Sequence, residues 1–210
     1  MDGLIGFFAL CFTTLFAIVN PLSTAIVYEG LASSFKKKQK LEIVNRAILS
    51  AFIIMVIFAV SGMLILNFFN ITIDALRIGG GLYLVILALR MLNPEKSQKI
   101  LHPNSKIRKS DDIALVPLAI PLLSGPGTIA AIVVLLSHDP GFINMLTLIA
   151  AITVVMIISY FILRLAHDIQ RVLRNKGIKT LEKIMGLIIL GIGVQFILNG
   201  LKDYILGIFI

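Results

Sequence analysis

Long apolar runs separated by short polar or basic stretches make up almost the whole chain. Six runs can be marked, at about 3–32, 47–69, 75–92, 113–137, 142–163 and 181–201. Each approaches or exceeds the roughly 20 residues that a helix needs to cross a hydrocarbon layer of about 30 Å. All are too long for the ten-residue alternating strands of a membrane barrel. The pattern therefore predicts an all-α integral membrane protein with six transmembrane helices.

Two runs are interrupted. The first has 30 residues, which as one straight helix would extend about 45 Å, more than the hydrocarbon thickness. Near its middle stands Asn20-Pro21-Leu22-Ser23-Thr24. Proline removes a backbone donor and clashes with the preceding turn, whereas Asn is a good N-cap and Pro suits the first position of a new helix. A helix is thus expected to restart at Pro21. The fourth run carries Pro117, Pro121 and then Ser124-Gly125-Pro126-Gly127-Thr128, again a small or polar residue followed by Pro. A second restart is expected there.

The two halves also resemble one another. Residues 75–93 align with 181–199 at an offset of 106, with Gly80 over Gly186 and Asn93 over Asn199. At an offset of 105, Pro21 falls on Pro126 and Ala25 on Ala130. A duplication of three spans inserts its second copy upside down, the inverted-repeat arrangement of many secondary transporters. The expected organisation is a first repeat over 1–92, a cytoplasmic linker over 93–112 and a second repeat over 113–210, with helices 1 and 4 broken near the midplane.

Charge sets orientation. The 210 residues are 58% hydrophobic and carry a net charge of +8. Of the 19 Lys and Arg residues, 17 lie in 33–46, 90–112 and 164–183, the connections after the first, third and fifth runs. Short cytoplasmic loops retain Lys and Arg, so both termini are expected to be extracytoplasmic in a plasma (inner) membrane protein. Lys36, Lys37 and Lys38 are expected to fix topology and meet anionic lipid. No aromatic-rich basic face points to nucleic acid. Cys11 is the single cysteine and cannot form an intramolecular disulfide. The amino terminus has no basic region before its apolar run and is expected to be retained.

Two opposed helix restarts would form a midplane site. The N–H groups of a helix start can hold a carboxylate. The hydroxyls of Ser23, Thr24, Ser124 and Thr128, with carbonyls freed by the breaks, can receive an ammonium group or a proton-coupled water. Gly125 and Gly127 permit close backbone approach. The expected substrate-binding residues are Asn20, Pro21, Leu22, Ser23, Thr24, Ser124, Gly125, Pro126, Gly127 and Thr128. Glu29 and Gln195 join them as secondary candidates, the first for proton coupling or interfacial placement, the second for substrate contact or an interhelical bond. Asp74 and Arg77, three apart at the start of the third run, are expected to pair on one helical face. The glycines at 79–81, 186, 191 and 193 read as helix-packing positions.

At NPLS (20–23), LRIGGGLYLVILALRML (76–92) and ALVPLAIPLLSGPGTIA (114–130), the chain resembles the MarC family of six-span membrane proteins. The resemblance covers nearly the whole length. It implies a LysE-like transporter that moves small neutral amino acids such as glycine and alanine on a cation gradient, of protons or sodium. Ser23 stands where the family usually has Gly, and Ile26 where it usually has a second Pro.

Other functions fit less well. His102, His138 and His167 fall in connections, and neither an HExxH nor a Cys/His cluster is present, so an enzyme, a metal site or a cofactor is not expected. Without a P-loop, coupling comes from an ion gradient or there is none. A channel would need a continuous polar pore, and an exporter of another small metabolite remains the alternative transporter reading. The sequence leaves the oligomeric state open.

Overall fold

The computed structural model describes residues 2–93, 123–137 and 140–209, and side-chain environments within these except at 2, 174–176 and 206–209. Among the described residues the secondary structure is helical, in seven elements: α1 (Asp2–Val19), α2 (Pro21–Ala32), α3 (Lys37–Phe68), α4 (Ile73–Leu92), α5 (Pro126–Ser137), α6 (Phe142–Arg164) and α7 (Ala166–Phe209). Five stretches are long and apolar enough to cross a membrane: Gly3–Ala32, which joins α1 and α2, then α3, α4, α6 and Gly177–Ile205 within α7. α5 is a shorter apolar helix. The linker beyond Asn93 and the first part of the fourth run, with Pro117 and Pro121, lie outside the described residues.

Local chemistry sets the turns. α3 ends with Asn70 in the left-handed region at φ 53°. The Ile71 N–H reaches the Leu66 carbonyl at 2.9 Å and the Asn70 N–H reaches that of Asn67 at 3.2 Å. This paired return closes the last carbonyls of the helix. Two residues later Thr72 caps α4, its hydroxyl accepting from the Ala75 N–H at 3.2 Å.

Polarity misleads at two connections. Most of KKKQK (36–40) forms the first turn of α3, and RVLRNKGIKT (171–180), expected as a loop, lies inside the continuous helix α7. Lys, Arg, Leu and Gln are good helix formers, and the stretch 171–180 contains no proline. A drop in hydropathy ends a membrane span without ending the helix.

The tightest seam joins α4 and α7. Rising numbers on α4 meet falling numbers on α7, so the two run antiparallel: Gly200 lies against Arg77 and Ile78, Gly193 against Gly81, and Gly186 against Ala88 and Met91. A Cβ on Gly81 would stand 2.6 Å from the Gly193 carbonyl oxygen, and one on Gly193 2.9 Å from that of Gly81. Lipid gives helices little hydrophobic reason to associate, so backbone approach of this kind supplies the packing energy. Gly79 and Gly191 have nothing within 4 Å of an added Cβ and do not share this role.

Where the seam reaches α4's first turn, charge reinforces it. Arg77, 5% exposed, lies 3.3 Å from Asp74 on its own helix and bonds Asp203 of α7. The expected i,i+3 pair is present, and Asp203 extends it to a second helix.

α5 fills the bundle centre, with nine of its 12 residues buried. It packs against α3 through Gly62 and Val133, and against α4 through Gly80 and Ala130. Leu15, Met55, Leu84, Leu123, Ile132 and Leu148 are fully buried in the common core. The outward faces of α3 and α6 are nearly as apolar, with Leu64, Phe68 and Ile157 exposed, as lipid contact requires.

Two stability outcomes are expected. Gly81→Leu and Gly193→Leu should each destabilise the protein in detergent by roughly 1–3 kcal/mol through overpacking. Gly79→Leu and Gly191→Leu should stay within about 0.5 kcal/mol of the parent. Arg77→Ala, which removes the tie between Asp74 and Asp203, should cost about 1–3 kcal/mol because both carboxylates stay partly exposed, and Asp203→Asn less, because Asp74 still faces the guanidinium. Thermal unfolding of the purified variants measures all six.

Candidate functional site

The residues of NPLSTA form a one-residue interruption between α1 and α2. Asn20 takes the left-handed conformation, φ 45° and ψ 66°, at the N-cap of α2, and Pro21 occupies its first turn. The side chain closes the helix start on itself. Its carbonyl oxygen accepts from the Ser23 N–H at 3.4 Å, and its amide donates to the Ser23 hydroxyl at 2.9 Å. The same amide points at the Met91 sulfur, 3.8 Å away on α4. Asn20 is 6% exposed and Thr24 2%, while Leu22 and Ser23 are half-buried.

The start of α5 is built from the same parts. Gly125 precedes Pro126 at the start of α5, and the Gly125 carbonyl accepts from the Ile129 N–H at 3.0 Å, as the Asn20 carbonyl does from Thr24 at 3.1 Å. Thr24 donates its hydroxyl to the Val19 carbonyl at 3.2 Å, and Thr128 donates to the Leu123 carbonyl at 3.3 Å. Each threonine thus reaches back five residues across its interruption to an acceptor that the helix leaves open. A donating hydroxyl keeps its oxygen lone pairs for a further donor. Ser124 and Thr128 are each 2% exposed, Gly125 and Gly127 are buried, and Pro126 is exposed.

Both starts lean on α4, at different heights. Asn20 meets it at Met91, in the last turn, whereas Gly127 meets it at Tyr83 and Leu84, in the middle. Seven residues of helix separate those contacts, about 10 Å along the axis. Part of that gap closes because helical side chains such as Met91 lean toward the N-terminus. The two starts therefore meet one wall at different heights. Gly127 is closely confined: an added Cβ would lie 2.6 Å from a Leu84 methyl and 3.2 Å from the Tyr83 ring.

The secondary candidates sit elsewhere. Gln195 is on the exposed face of α7, where its amide donates to Asn199 one turn on at 2.7 Å, a bond within its own helix. Glu29, 7% exposed, is nine residues beyond Asn20 at the far end of α2. It pairs with Lys40 of α3 at 2.7 Å and faces His167 of α7 at 3.1 Å. Sequence reasoning placed His167 in a connection and did not join it to Glu29. The two are 138 residues apart, and no local pattern signals the contact. Among the described residues no group of three or more His, Cys, Asp or Glu residues is arranged to hold a metal ion.

Comparison with known proteins agrees with this all-helical membrane architecture. The chain is 34% identical over 201 residues to a UPF0056 membrane protein of Methanocaldococcus jannaschii, covering 95% of this chain and 98% of the relative. A UPF0056 membrane protein of Aquifex aeolicus is 34% identical over 198 residues, covering 93% and 92%. The UPF0056 inner membrane protein MarC of Citrobacter koseri is also 34% identical, over 203 residues, covering 91% and 92%. No solved structure matches the chain. Residues 5–205 match the family described as MarC family integral membrane protein. On a match that spans nearly its whole length, the chain belongs to the MarC family of integral membrane proteins.

Proposed function

We propose that the protein is a secondary active transporter of small neutral amino acids, of the glycine and alanine class, coupled to a proton or sodium gradient. In this reading the bundle consists of two inverted three-span units, 1–92 and 113–210, whose first spans are each broken where α2 and α5 restart. The basic connections are cytoplasmic and both termini extracytoplasmic, following the distribution of Lys and Arg. The protein is a carrier and not an enzyme.

The observation that carries the proposal is the likeness of the two restarts. Each has a small or polar residue, then Pro, then a buried threonine bonded five residues back. The α4–α7 seam supports the same reading. Midway between its Gly81–Gly193 and Ala88–Gly186 contacts stand Leu84 and Leu190, which are offset by the 106 residues that align the two helices. A two-fold axis between inverted units would cross the seam at such a pair.

The chemistry follows from the parts. The substrate carboxylate binds at the start of α5, where Gly125 has no side chain to compete for the N–H groups of Gly127 and Thr128. Asn20 and Ser23 already occupy each other at the start of α2. The ammonium group is received by the lone pairs of the threonine hydroxyls and by carbonyls of the interruptions. Leu84 and Tyr83, pressed against Gly127, leave little room for a side chain larger than that of alanine.

Uptake of labelled glycine and alanine into proteoliposomes under imposed proton and sodium gradients tests this. Asn20→Ala should lower gradient-driven uptake roughly tenfold, equivalent to about 1.4 kcal/mol, and Gly127→Leu by at least that factor. Absence of gradient-dependent flux of either amino acid would remove the substrate class. Parental flux in both variants would remove the site.

A further inference from the structure

We infer that the protein carries a built site for one anionic glycerophospholipid, in the cleft between α3 and α6 at the basic end of the bundle. Two cavities form this cleft. The larger, about 800 Å³, is bounded by α2, α3, α6 and the start of α7, and its charged lining includes Lys37, Lys38, Lys40 and Arg164, with Glu29 and Asp168. These charges do not cancel. Glu29 is engaged by Lys40 at 2.7 Å and faces His167 at 3.1 Å, so it is already answered. Lys37, Lys38 and Arg164 are then left with the single carboxylate of Asp168. Among the described residues no hydrogen bond or ion pair engages those three cations.

The smaller cavity, about 480 Å³, is almost wholly apolar and is walled by Ile48, Leu49 and Phe52 of α3 and Met156, Ile157 and Phe161 of α6. It continues the larger one along the same helix faces. On α3, Lys38, Leu41, Asn45, Leu49 and Phe52 follow at intervals of three or four, which places them in one stripe. On α6, Arg164, Phe161, Ile157 and Thr153 do the same in the opposite direction. From Lys38 to Phe52 the stripe is about 21 Å long at 1.5 Å per residue. Its charged mouth lies beside the start of α3, and its apolar part runs into the hydrophobic span.

A ligand that fits must be anionic at one end and long and apolar at the other. A phosphodiester supplies one negative charge and several acceptor oxygens for Lys and Arg, and an acyl chain fills the apolar trough. Free phosphate would use only the mouth. A zwitterionic choline headgroup brings its own cation against Lys37 and Lys38, and is disfavoured.

Native mass spectrometry of the full chain in detergent, with added dioleoyl phosphatidylglycerol or dioleoyl phosphatidylcholine, tests the site. One phosphatidylglycerol should be retained per chain, with a preference over phosphatidylcholine of about tenfold. The triple variant Lys37→Gln, Lys38→Gln, Arg164→Gln should lose that preference. Ile157→Trp, which fills the trough and leaves the cations in place, should lower retention of phosphatidylglycerol itself. Inorganic phosphate and glycerol 3-phosphate should fail to displace the lipid. Equal retention of the two lipids by the parent, a triple variant that keeps the preference, unchanged retention in Ile157→Trp, or displacement by phosphate alone would each overturn the proposal. Circular dichroism and size exclusion establish that the variants are folded, and the two-lipid comparison on the parent chain depends on no variant.

Discussion

A bilayer interior offers no hydrogen bonds to a peptide group, so every carbonyl that a helix interruption releases must find a donor within the protein. That constraint governs the centre of this molecule. Pro21 and Pro126 each stand in an apolar stretch without a backbone donor. Thr24 and Thr128 return one by donating five residues back to Val19 and Leu123. Those bonds answer one carbonyl before each helix start. The helix starts carry partial positive charge into a region without a buried Lys or Arg among the described residues next to them.

The surrounding helices serve the same constraint at a distance. α5 has 12 residues and is among the most buried elements, so it must be held by close packing instead of by its own length. Gly62, Gly80 and Gly127 let α3 and α4 approach it to near-backbone contact. α4 is in turn clamped to α7 by reciprocal glycines and, at one end, by Arg77 between Asp74 and Asp203. At the opposite end, Glu29 with Lys40 and His167 ties α2 to α3 and α7. Ion pairs that join helices thus sit at both ends of the bundle, while its middle is held by steric fit.

Much of this was legible in the sequence because membrane helices must advertise themselves. Hydropathy located five spanning stretches, and the Asn-Pro and Gly-Pro pairs marked the residues at which α2 and α5 start. The spacing of Asp74 and Arg77 gave their pairing. Other features were not legible, for identifiable reasons. The helical continuation through 171–180 was hidden because polarity marks the edge of the bilayer and not the end of a helix. Asp203 and His167 join their partners across 126 and 138 residues, and no local pattern encodes such contacts. The exposed position of Gln195 depends on how α7 is rotated against α4, which the close approach at Gly81, Gly193 and Gly200 decides. The different heights at which Asn20 and Gly127 meet α4 likewise follow from packing at Met91 and Leu84, which no local pattern encodes.

The central claim is that the two interruptions form one site for a small zwitterion. An experimental structure of the protein in lipid, determined with saturating glycine, measures this most directly. The account expects density for the carboxylate within about 3 Å of the N–H groups that open α5, with the ammonium group turned toward the threonine hydroxyls and carbonyls of the interruptions. Glycine bound away from both Asn20 and Gly125, or no bound glycine beside either at saturation, would contradict it.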